Sequence, residues 1–472
     1  MPWTQKGDYW ETPLDVHEQF FNKIKDLTIP TGREGWMIML TAVLCPPSKR
    51  RTSILDLGLE LRDAWKALRF QHPGIATELD PSGKNKRYYP PRNEEELEAW
   101  ANNTFRILEN VPSAYEVLHG DKVQIAPPHV NCFWIPATKE VALLSSHWRW
   151  DARGSLWVLR DLLSELALSR SSPRETKALS PFWFSAHAAR PNLAPSLDEL
   201  VRMPAKQDWN PDWEVQATAL HADSVPRDGT PAFSISADPQ DGTMTMPGKT
   251  TRLEVVYSAT ETADILAAIR ARGLTVAPAV HASVIEEAVR LNPGSAASRF
   301  VSYGIFDLRR YCPPLSNTSV EAVSHRVLGL PLNVPTAGSW DELAETLKKY
   351  YGRSWMDESG GLFVRRVFVE QMLDKMGHSD VVVSEPYFNS LGVVDEYLGR
   401  RFGDLGVEHV EFLDTNVTRA LVIHCFTWKE ELHVSLGHNE AFYEDEFVED
   451  YLLAVRENVL ENLGLGTERS IE

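Results

Sequence analysis

The chain has 472 residues, which exceeds one ordinary hydrophobic core and predicts two domains. Its 43% hydrophobic and 24% charged residues, with 15 Trp, 13 Tyr and 18 Phe, exclude an intrinsically disordered protein. The formal net charge of −18 disfavours nucleic acid or an anionic membrane surface as the main partner. We therefore expect a small molecule or another protein as partner.

The N-terminal region and the cysteines predict a cytoplasmic location. The first 21 residues include acidic side chains and lack an apolar core segment, so they resemble neither a secretory signal nor a transit peptide. The longest strongly apolar run, at 36–45, is far shorter than the roughly 20 residues of a membrane-spanning helix. The four cysteines are widely separated and form no C-x-x-C pair, which disfavours a disulfide framework or a cysteine zinc site.

Strands and helices alternate in the first half of the chain. The run at 36–45 predicts a buried strand, and apolar residues at helical spacing over 54–73 predict an amphipathic helix that Pro73 ends. The next predicted elements are strands at 122–128 and 139–148 and a helix over 154–168.

A long surface connection is predicted next, because residues 169–249 are rich in Ser, Pro, Asp and Gly. We place the domain crossover within this stretch. The predicted organisation is an N-terminal lobe at 1–207, a crossover linker at 208–248 and a C-terminal lobe at 249–472.

The second half predicts a similar alternation. A strand at 250–258 precedes helices over 261–273 and 275–291. A hairpin formed by 419–426 and 432–438 around the turn at 427–431 precedes a terminal helix over 447–464.

The sequence does not match several common catalytic and ligand-binding motifs. The segment "GTMTMPGKT" has five residues between Gly242 and Gly248 where a phosphate-binding loop requires four, and a strand follows it. The G-x-S-x-G, H-E-x-x-H and G-x-G-x-x-G patterns of lipase-type hydrolases, zincins and Rossmann domains are absent. His424, His433 and His438 lie on the predicted hairpin without evident carboxylate or thiolate co-ligands, so we expect no metal site.

The remaining pattern is His147-x-x-x-Asp151, between a predicted strand and a predicted helix. Chance alone produces about one such pattern in a chain with 14 histidines and this acidity, although no other histidine here has an aspartate at that spacing. A residue at the end of a strand can face a cleft, which favours a functional site. The alternative is structural: Trp148 and Trp150 pack against the next layer and Asp151 favours the start of the helix.

Five segments together resemble the condensation-domain superfamily of acyltransferases, in the expected order over nearly the whole chain. This superfamily includes chloramphenicol acetyltransferase and the plant BAHD enzymes, and the chain most resembles its fungal trichothecene 15-O-acetyltransferase type. The segments are "SSHWRWDARGSLWVLRDLL", "ETADILAAIRARGLTVAPAVHASV", "FDLRRY", "PYFNSLGVVDEYL" and "LHVSLGHNEAFYEDEFVEDYLLAVRENV". The resemblance implies an α/β fold of two chloramphenicol-acetyltransferase-like lobes, each a mixed β-sheet with packed helices, around an active-site tunnel.

The resemblance also implies roles for individual residues. His147 corresponds to a general base that takes the proton of an acceptor hydroxyl as it attacks a thioester directly. Asp151 corresponds to a structural aspartate, paired with Arg309 of a D-x-R-like segment. Asn389 or Ser390 is a candidate donor to the developing oxyanion, although turn formation before Gly392 also explains both.

Two departures limit the transfer of residues. The BAHD D-F-G-W-G loop is absent, and its nearest counterpart, "RRFGD" at 400–404, does not match it; Ala152 replaces a glycine that many relatives carry. Residues that contact coenzyme A are therefore unknown. Basic candidates for its phosphates are Lys348, Lys349, Arg365, Arg366, Arg400 and Arg401.

The implied function is transfer of an acyl group, with acetyl from acetyl-CoA as the leading case, to a hydroxyl of a hydrophobic terpenoid or polyketide. We expect a monomer that uses no metal. Two alternatives stay open: a condensation-type enzyme with a carrier-protein-bound acyl donor, and a non-catalytic binding module on the same fold.

Overall fold

A computed structural model describes residues 2–46, 54–119, 125–171, 181–223, 245–292, 298–313, 318–352, 360–376 and 385–466. The strands in chain order are β1 Thr4–Lys6, β2 Tyr9–Pro13, β3 Met37–Cys45, β4 Thr77–Leu79, β5 Asn85–Tyr88, β6 Phe105–Ile107, β7 Asn131–Ile135, β8 Glu140–Ser146, β9 Thr250–Tyr257, β10 Arg299–Asp307, β11 Val327–Pro335, β12 Tyr387–Val393, β13 Arg401–Phe402, β14 Leu405–Asp414, β15 Val422–Trp428 and β16 Glu431–Asn439. The helices are α1 Val16–Thr28, α2 Ile54–Gln71, α3 Glu94–Thr104, α4 Tyr115–His119, α5 Ala152–Ser171, α6 Pro181–Ala189, α7 Leu197–Leu200, α8 Pro211–Asp223, α9 Ala259–Ala271, α10 Val276–Arg290, α11 Trp340–Tyr351, α12 Gly361–Lys375 and α13 Asp445–Asn462.

The chain forms two compact units, each assembled from three stretches of sequence. Unit 1 comprises Met1–Ala205, Leu308–Val327 and Val394–Thr415, and unit 2 comprises Lys206–Asp307, Leu328–Val393 and Asn416–Glu472. The lobe boundaries at 207 and 249 stay a prediction. The segments 308–327 and 394–415 bring residues to unit 1 that lie far from it in sequence.

Unit 1 contains a six-stranded sheet in the order β13-β14-β3-β8-β7-β6. Its central strands β3 and β8 pair antiparallel and are almost wholly buried. Such near-continuous burial is typical of strands that are covered on both faces. Residues 114–118, around α4, pack against side chains of β3, β7 and β8, while α5 contacts both α2 and β3.

The helical faces predicted for α2 and α5 are confirmed, because apolar side chains at helical spacing are buried. Each of them is at most 2% exposed: Leu57, Leu61, Trp65 and Leu68 in α2, and Leu156, Leu159, Leu163 and Leu166 in α5. This packing fixes the position of the first turn of α5, which directly follows β8 and the turn that carries His147.

Unit 2 contains a second six-stranded sheet, in the order β11-β10-β12-β15-β16-β9. Strand β12 pairs parallel to both β10 and β15, while β15 and β16 form an antiparallel hairpin. Lys429 and Glu430, between the two hairpin strands, have φ values of 49° and 66°. Positive φ at both central residues is the signature of a type I′ hairpin turn.

Most predicted elements are present, and two predictions are wrong. Residues 125–128 form no strand; the strand in this region is β7, and 122–124 lie outside the described residues. The region 169–249 is not a plain surface connection, because it contains α6 and α8. Helix α8 begins at Pro211, a residue that favours the first position of a helix, and contacts α12 within unit 2. Residues 224–244 of the predicted linker lie outside the described residues.

Candidate active site

His147 lies in the turn between β8 and α5. Strand β8 ends at Ser146, and the N–H of Arg149 donates to the Ser146 carbonyl across 3.3 Å. Helix α5 begins five residues after His147, at Ala152. The half-buried His147 is therefore held at the end of one buried element and directly before another.

Aromatic rings surround the imidazole of His147. The ring of Phe21, from α1, stacks on it with a centroid distance of 3.8 Å and an interplanar angle of 21°. The ring of His325 lies 5.0 Å away, and the indole of Trp36 lies 6.5 Å away. All four residues belong to unit 1, although they come from four separate parts of the sequence.

The surroundings of His147 favour the neutral form of its imidazole. Burial lowers the pKa of His147 below its usual value, while the carboxylates of Asp414 and Asp151 partly oppose that shift. The Nδ1 atom is buried and has no hydrogen-bond partner among the described residues. Because the residue as a whole is only half-buried, we infer that Nε2 is the ring nitrogen that a substrate can reach.

Asp151 caps α5 and is fully occupied by donors. Its Oδ1 accepts the N–H of Gly154 across 2.9 Å, and its Oδ2 accepts the N–H of Arg326 across 2.8 Å. The Nη1 of Arg309 lies 3.1 Å from Oδ1 and 3.0 Å from Oδ2. Burial alone would raise the pKa of Asp151, but the Arg309 guanidinium and the Gly154 N–H lower it to about 2.

Arg309 ties the segment 308–327 to the start of α5. Its Nη2 donates to the carbonyls of Glu321 and Ser324, and its guanidinium lies 5.1 Å from the ring centroid of Trp157. A Cβ on Gly154 would stand 2.2 Å from the carbonyl oxygen of Ala322, so only glycine allows this close approach. The structure thus brings Asp151 and Arg309 together, and the helix-start role considered for Asp151 is present beside the ion pair.

His325 is a site residue that sequence reasoning missed. It is fully buried, and neither of its ring nitrogens has a hydrogen-bond partner within the described part of the chain. Its ring lies 4.5 Å from that of Phe21, and burial and the neighbouring His147 hold its pKa well below the usual value. No local pattern marks His325, because its position follows from the Arg326 N–H bond to Asp151 and not from its own spacing.

Trp148 and Trp150 pack inside unit 1. Their exposures are 3% and 0%, and the guanidinium of Arg149 lies 4.4 Å from the ring centroid of Trp148. The packing interpretation of these two residues is therefore confirmed. The tryptophan whose ring lies beside His147 is Trp36 instead.

Asn389 and Ser390 lie on β12 of unit 2 and point to opposite faces of the sheet. Ser390 shares its face with Phe388, which stacks on His281 of α10 at 4.6 Å. Asn389 lies on the face away from α10, and its neighbour on the adjacent strand β15 is His424. The turn considered before Gly392 is absent, because β12 continues through Gly392 to Val393; the strand instead has a bulge after Ser390, where Gly392 has a φ of 75°.

The basic candidates for coenzyme A binding differ in availability. Arg365 is only 3% exposed, so it cannot meet a phosphate at a surface mouth. Lys348, Arg366 and Arg400 form ion pairs with Glu345, Glu370 and Asp395 respectively. Lys349 and Arg401 are exposed and form no ion pair with another described residue.

The three histidines of the β15–β16 hairpin do not form a cluster. His433 lies 3.3 Å from Glu254, and His438 lies 2.9 Å from Asp445. Across the described ranges there is no group of three or more histidine, cysteine, aspartate or glutamate residues that could hold a metal ion. Likewise, no helix in these ranges is long and apolar enough to cross a membrane.

Comparison with known proteins identifies the fold. No family model matches the chain. Over 488 aligned residues that cover 100% of both proteins, the chain is 26% identical to the acetyltransferase pigO of Monascus ruber. The trichothecene 15-O-acetyltransferase TRI3 of Fusarium sporotrichioides superposes with a TM-score of 0.80 at 17% identity, over 98% of this chain and 97% of that one. The chain therefore has the fold of this acetyltransferase.

A condensation domain shares the fold at lower similarity. The first condensation domain of the CDA synthetase superposes with a TM-score of 0.63 at 15% identity, over 95% of this chain and 96% of that one. The predicted α/β fold class is confirmed by these structures. The predicted enzyme class, an acyltransferase, is confirmed by the full-length similarity to a named acetyltransferase together with this fold.

Proposed function

We propose that the chain is an acyl-CoA-dependent O-acyltransferase that transfers acetyl from acetyl-CoA to a hydroxyl of a hydrophobic secondary metabolite, acting as a cytoplasmic monomer. The observation that carries this proposal is the half-buried His147, which lies against the Phe21 ring beside a fully bonded Asp151–Arg309 pair. The full-length similarity to a fungal acetyltransferase supports the same chemistry.

In the proposed reaction, Nε2 of His147 accepts the proton of the acceptor hydroxyl while the hydroxyl oxygen attacks the thioester carbonyl carbon. The carbonyl π electrons move to the oxygen and give a tetrahedral oxyanion. When this oxyanion collapses, the C–S bond breaks and the thiolate takes the proton from the imidazolium, so His147 returns to its neutral form. A general base of this kind contributes about 100- to 10,000-fold to the rate.

The oxyanion needs a hydrogen-bond donor, and we propose the side-chain amide of Asn389 for this role. Ser390 is the weaker candidate, because it shares the face on which Phe388 packs against α10. Asp151 and Arg309 are proposed to hold the turn that carries His147 and not to touch the substrate, because the Asp151 oxygens already accept four hydrogen-bond contacts.

A second candidate is a condensation-type enzyme that takes its acyl group from a carrier protein. The fold similarity to a condensation domain supports this alternative. The chemistry at His147 would be the same, while the donor would be an acyl-phosphopantetheine on a protein instead of free coenzyme A.

The test is an acyl-transfer assay with purified protein, acetyl-CoA and a panel of hydroxylated terpenoids and polyketides, in which free thiol and product mass are measured. Wild type should form an acetylated product, and His147→Ala should lose about 100- to 10,000-fold in kcat. The matched control is His409→Ala, because His409 is also half-buried in unit 1 and pairs with Glu411. Asn389→Ala should lose about 100-fold or more, with Ser390→Ala close to wild type.

Each outcome points to a different conclusion. Equal activity of His147→Ala and His409→Ala would remove His147 from the reaction. Coenzyme A binding without product on any acceptor would contradict the proposed acceptor class. Transfer from an acyl-carrier protein but not from acetyl-CoA would favour the condensation-type alternative.

A further inference from the structure

Trp36 has a backbone conformation that a bulky residue rarely adopts. Its φ is 65°, in the left-handed region, although Gly35 directly precedes it. For a large aromatic residue this region is a genuine outlier, whereas glycine enters it without steric cost. Such strain persists only where surrounding contacts impose it, and it concentrates at functional sites.

Thr415 imposes this conformation from both sides. Its carbonyl accepts the N–H of Trp36 across 2.6 Å, and its Oγ1 accepts the N–H of Met37 across 2.8 Å. The Thr415 N–H donates to the Met37 carbonyl across 2.9 Å, and the Thr415 hydroxyl donates to the Glu34 carbonyl across 2.7 Å. Four hydrogen bonds thus hold the chain at the start of β3 against the end of β14.

The strained backbone directs the Trp36 side chain beside the proposed base. The indole is half-buried, and its ring centroid lies 6.5 Å from that of His147 at an angle of 52°. Phe21 stacks on His147 at 3.8 Å, so two aromatic side chains lie beside the imidazole. Backbone strain at a residue whose side chain lies beside the proposed base points to a role for that side chain in the site.

We propose that Trp36 is a specificity-determining residue that forms a wall of the acceptor site, where its indole stacks on a flat, unsaturated ring that carries the reacting hydroxyl. This inference rests on the function proposed above, since it places the acceptor next to His147. An indole face provides an extended apolar surface and favours stacking with another flat ring. A saturated acceptor of the same size would gain the hydrophobic contact but not the stacking.

The test compares two alcohols of matched size, 2-naphthalenemethanol and its decahydro analogue, as acceptors with acetyl-CoA. Trp36→Gly keeps the backbone conformation accessible, because glycine favours positive φ. For this variant we expect kcat/KM to fall for both alcohols, mainly through KM, because both lose the hydrophobic contact. The fall should be about two- to tenfold larger for the flat alcohol, which also loses the stacking. Trp36→Phe should retain most of the preference.

The matched control is Lys139→Gly, which also replaces a residue at positive φ in unit 1. Lys139 has a φ of 58° and is exposed in the turn between β7 and β8. Lys139→Gly should leave the ratio of kcat/KM for the flat alcohol to kcat/KM for the saturated alcohol unchanged. An equal loss for both alcohols in Trp36→Gly would make Trp36 a merely structural residue and would overturn the proposal.

Calorimetry without donor separates this inference from the proposed function. If wild type acetylates neither alcohol, binding of 2-naphthalenemethanol is compared between wild type and the two glycine variants. Weaker binding by Trp36→Gly alone would support the acceptor wall while the acyl-transfer reaction fails. Equal binding by all three proteins, or no binding by any, would overturn the proposal.

Discussion

The two ends of the His147-x-x-x-Asp151 motif differ in how their polar atoms are satisfied. At the aspartate end, both carboxylate oxygens accept a backbone N–H, and both lie within 3.1 Å of the Arg309 guanidinium. At the histidine end, Nδ1 of His147 and both ring nitrogens of His325 are buried without a hydrogen-bond partner in the described ranges. Ring contacts with Phe21 and His325 surround the His147 imidazole there.

Two residues that are four positions apart in sequence thus have different surroundings: Asp151 belongs to a hydrogen-bonded network, and His147 is surrounded by aromatic rings. A network in which every group is satisfied is rigid, and loss of one member leaves the others buried and unpaired. In the proposed function, ring contacts position His147 and leave its proton-accepting atom available to the substrate. Unpartnered buried polar groups are rare in native proteins, and each of them calls for an explanation such as a catalytic role or a bound water.

The largest expected effect on the free energy of unfolding comes from removing one partner of the Asp151–Arg309 pair. Arg309→Leu should lower the free energy of unfolding by about 3–5 kcal/mol, because it leaves the Asp151 carboxylate buried without its counter-charge. Asp151→Leu should cost more, since it also deprives the N–H groups of Gly154 and Arg326 of their acceptor. Urea denaturation of wild type and variants measures both differences.

Two further variants separate the charge from the cap. Asp151→Asn keeps a carbonyl oxygen for the helix N–H groups, so it should lose less stability than Asp151→Leu. The double variant Asp151→Leu/Arg309→Leu should cost less than the sum of its single variants, because no unpaired charge remains. A loss below about 1 kcal/mol for Arg309→Leu would show that the pair behaves like a surface ion pair.

The sequence alone could predict the local part of this site. The apolar run of β8, which is buried throughout, and leucines at helical spacing in α5 locate the junction, and an aspartate before a helix is a recognised cap signal. The pairing of Asp151 with Arg309 spans 158 positions, and only the resemblance to a known superfamily suggested it. Hydrophobic periodicity reports which face of one element is buried and carries no information about contacts between distant elements.

The surroundings of His147 were therefore beyond sequence reasoning. Phe21, Trp36 and His325 come from α1, the start of β3 and the segment 308–327, and none of them carries a motif. The Thr415 hydrogen bonds that strain Trp36 span about 380 positions. Conversely, Trp148 and Trp150 adjoin His147 in sequence and yet are buried away as packing residues.

A smaller change in the free energy of unfolding is expected at the histidine end of the motif, where His325 lies. His325→Leu replaces two unpartnered buried nitrogens with an apolar side chain of similar volume, so the free energy of unfolding at pH 7 should stay equal or rise by about 1 kcal/mol. His281→Leu is the matched control: His281 is also fully buried, but its Nδ1 lies 2.8 Å from the Tyr351 hydroxyl. Loss of that partner should destabilise this variant by about 1–3 kcal/mol.

The pH dependence of the free energy of unfolding gives a second comparison of wild type with His325→Leu. Burial holds the pKa of His325 well below its usual value, so the folded state binds fewer protons than the unfolded state below about pH 6.5. Ionisation of His325 thus leaves the free energy of unfolding unchanged above that pH and lowers it as the pH falls. His325→Leu should flatten the decline in stability between about pH 6.5 and 5. A steeper decline would mean that His325 is charged or hydrogen-bonded when folded.

The smallest expected effect is on the acidic limb of the pH profile of kcat/KM. Burial lowers the pKa of His147, so the neutral base should persist below about pH 6.5, and kcat/KM should then fall about tenfold per pH unit once His147 is protonated. Asp414 favours the protonated form, and Asp414→Asn should therefore move this acid limb to lower pH. An NMR titration of the His147 ring gives the same midpoint without turnover. A midpoint above about 6.5 would mean that the Asp414 and Asp151 carboxylates outweigh burial, and that the histidine end is governed by charge as the aspartate end is.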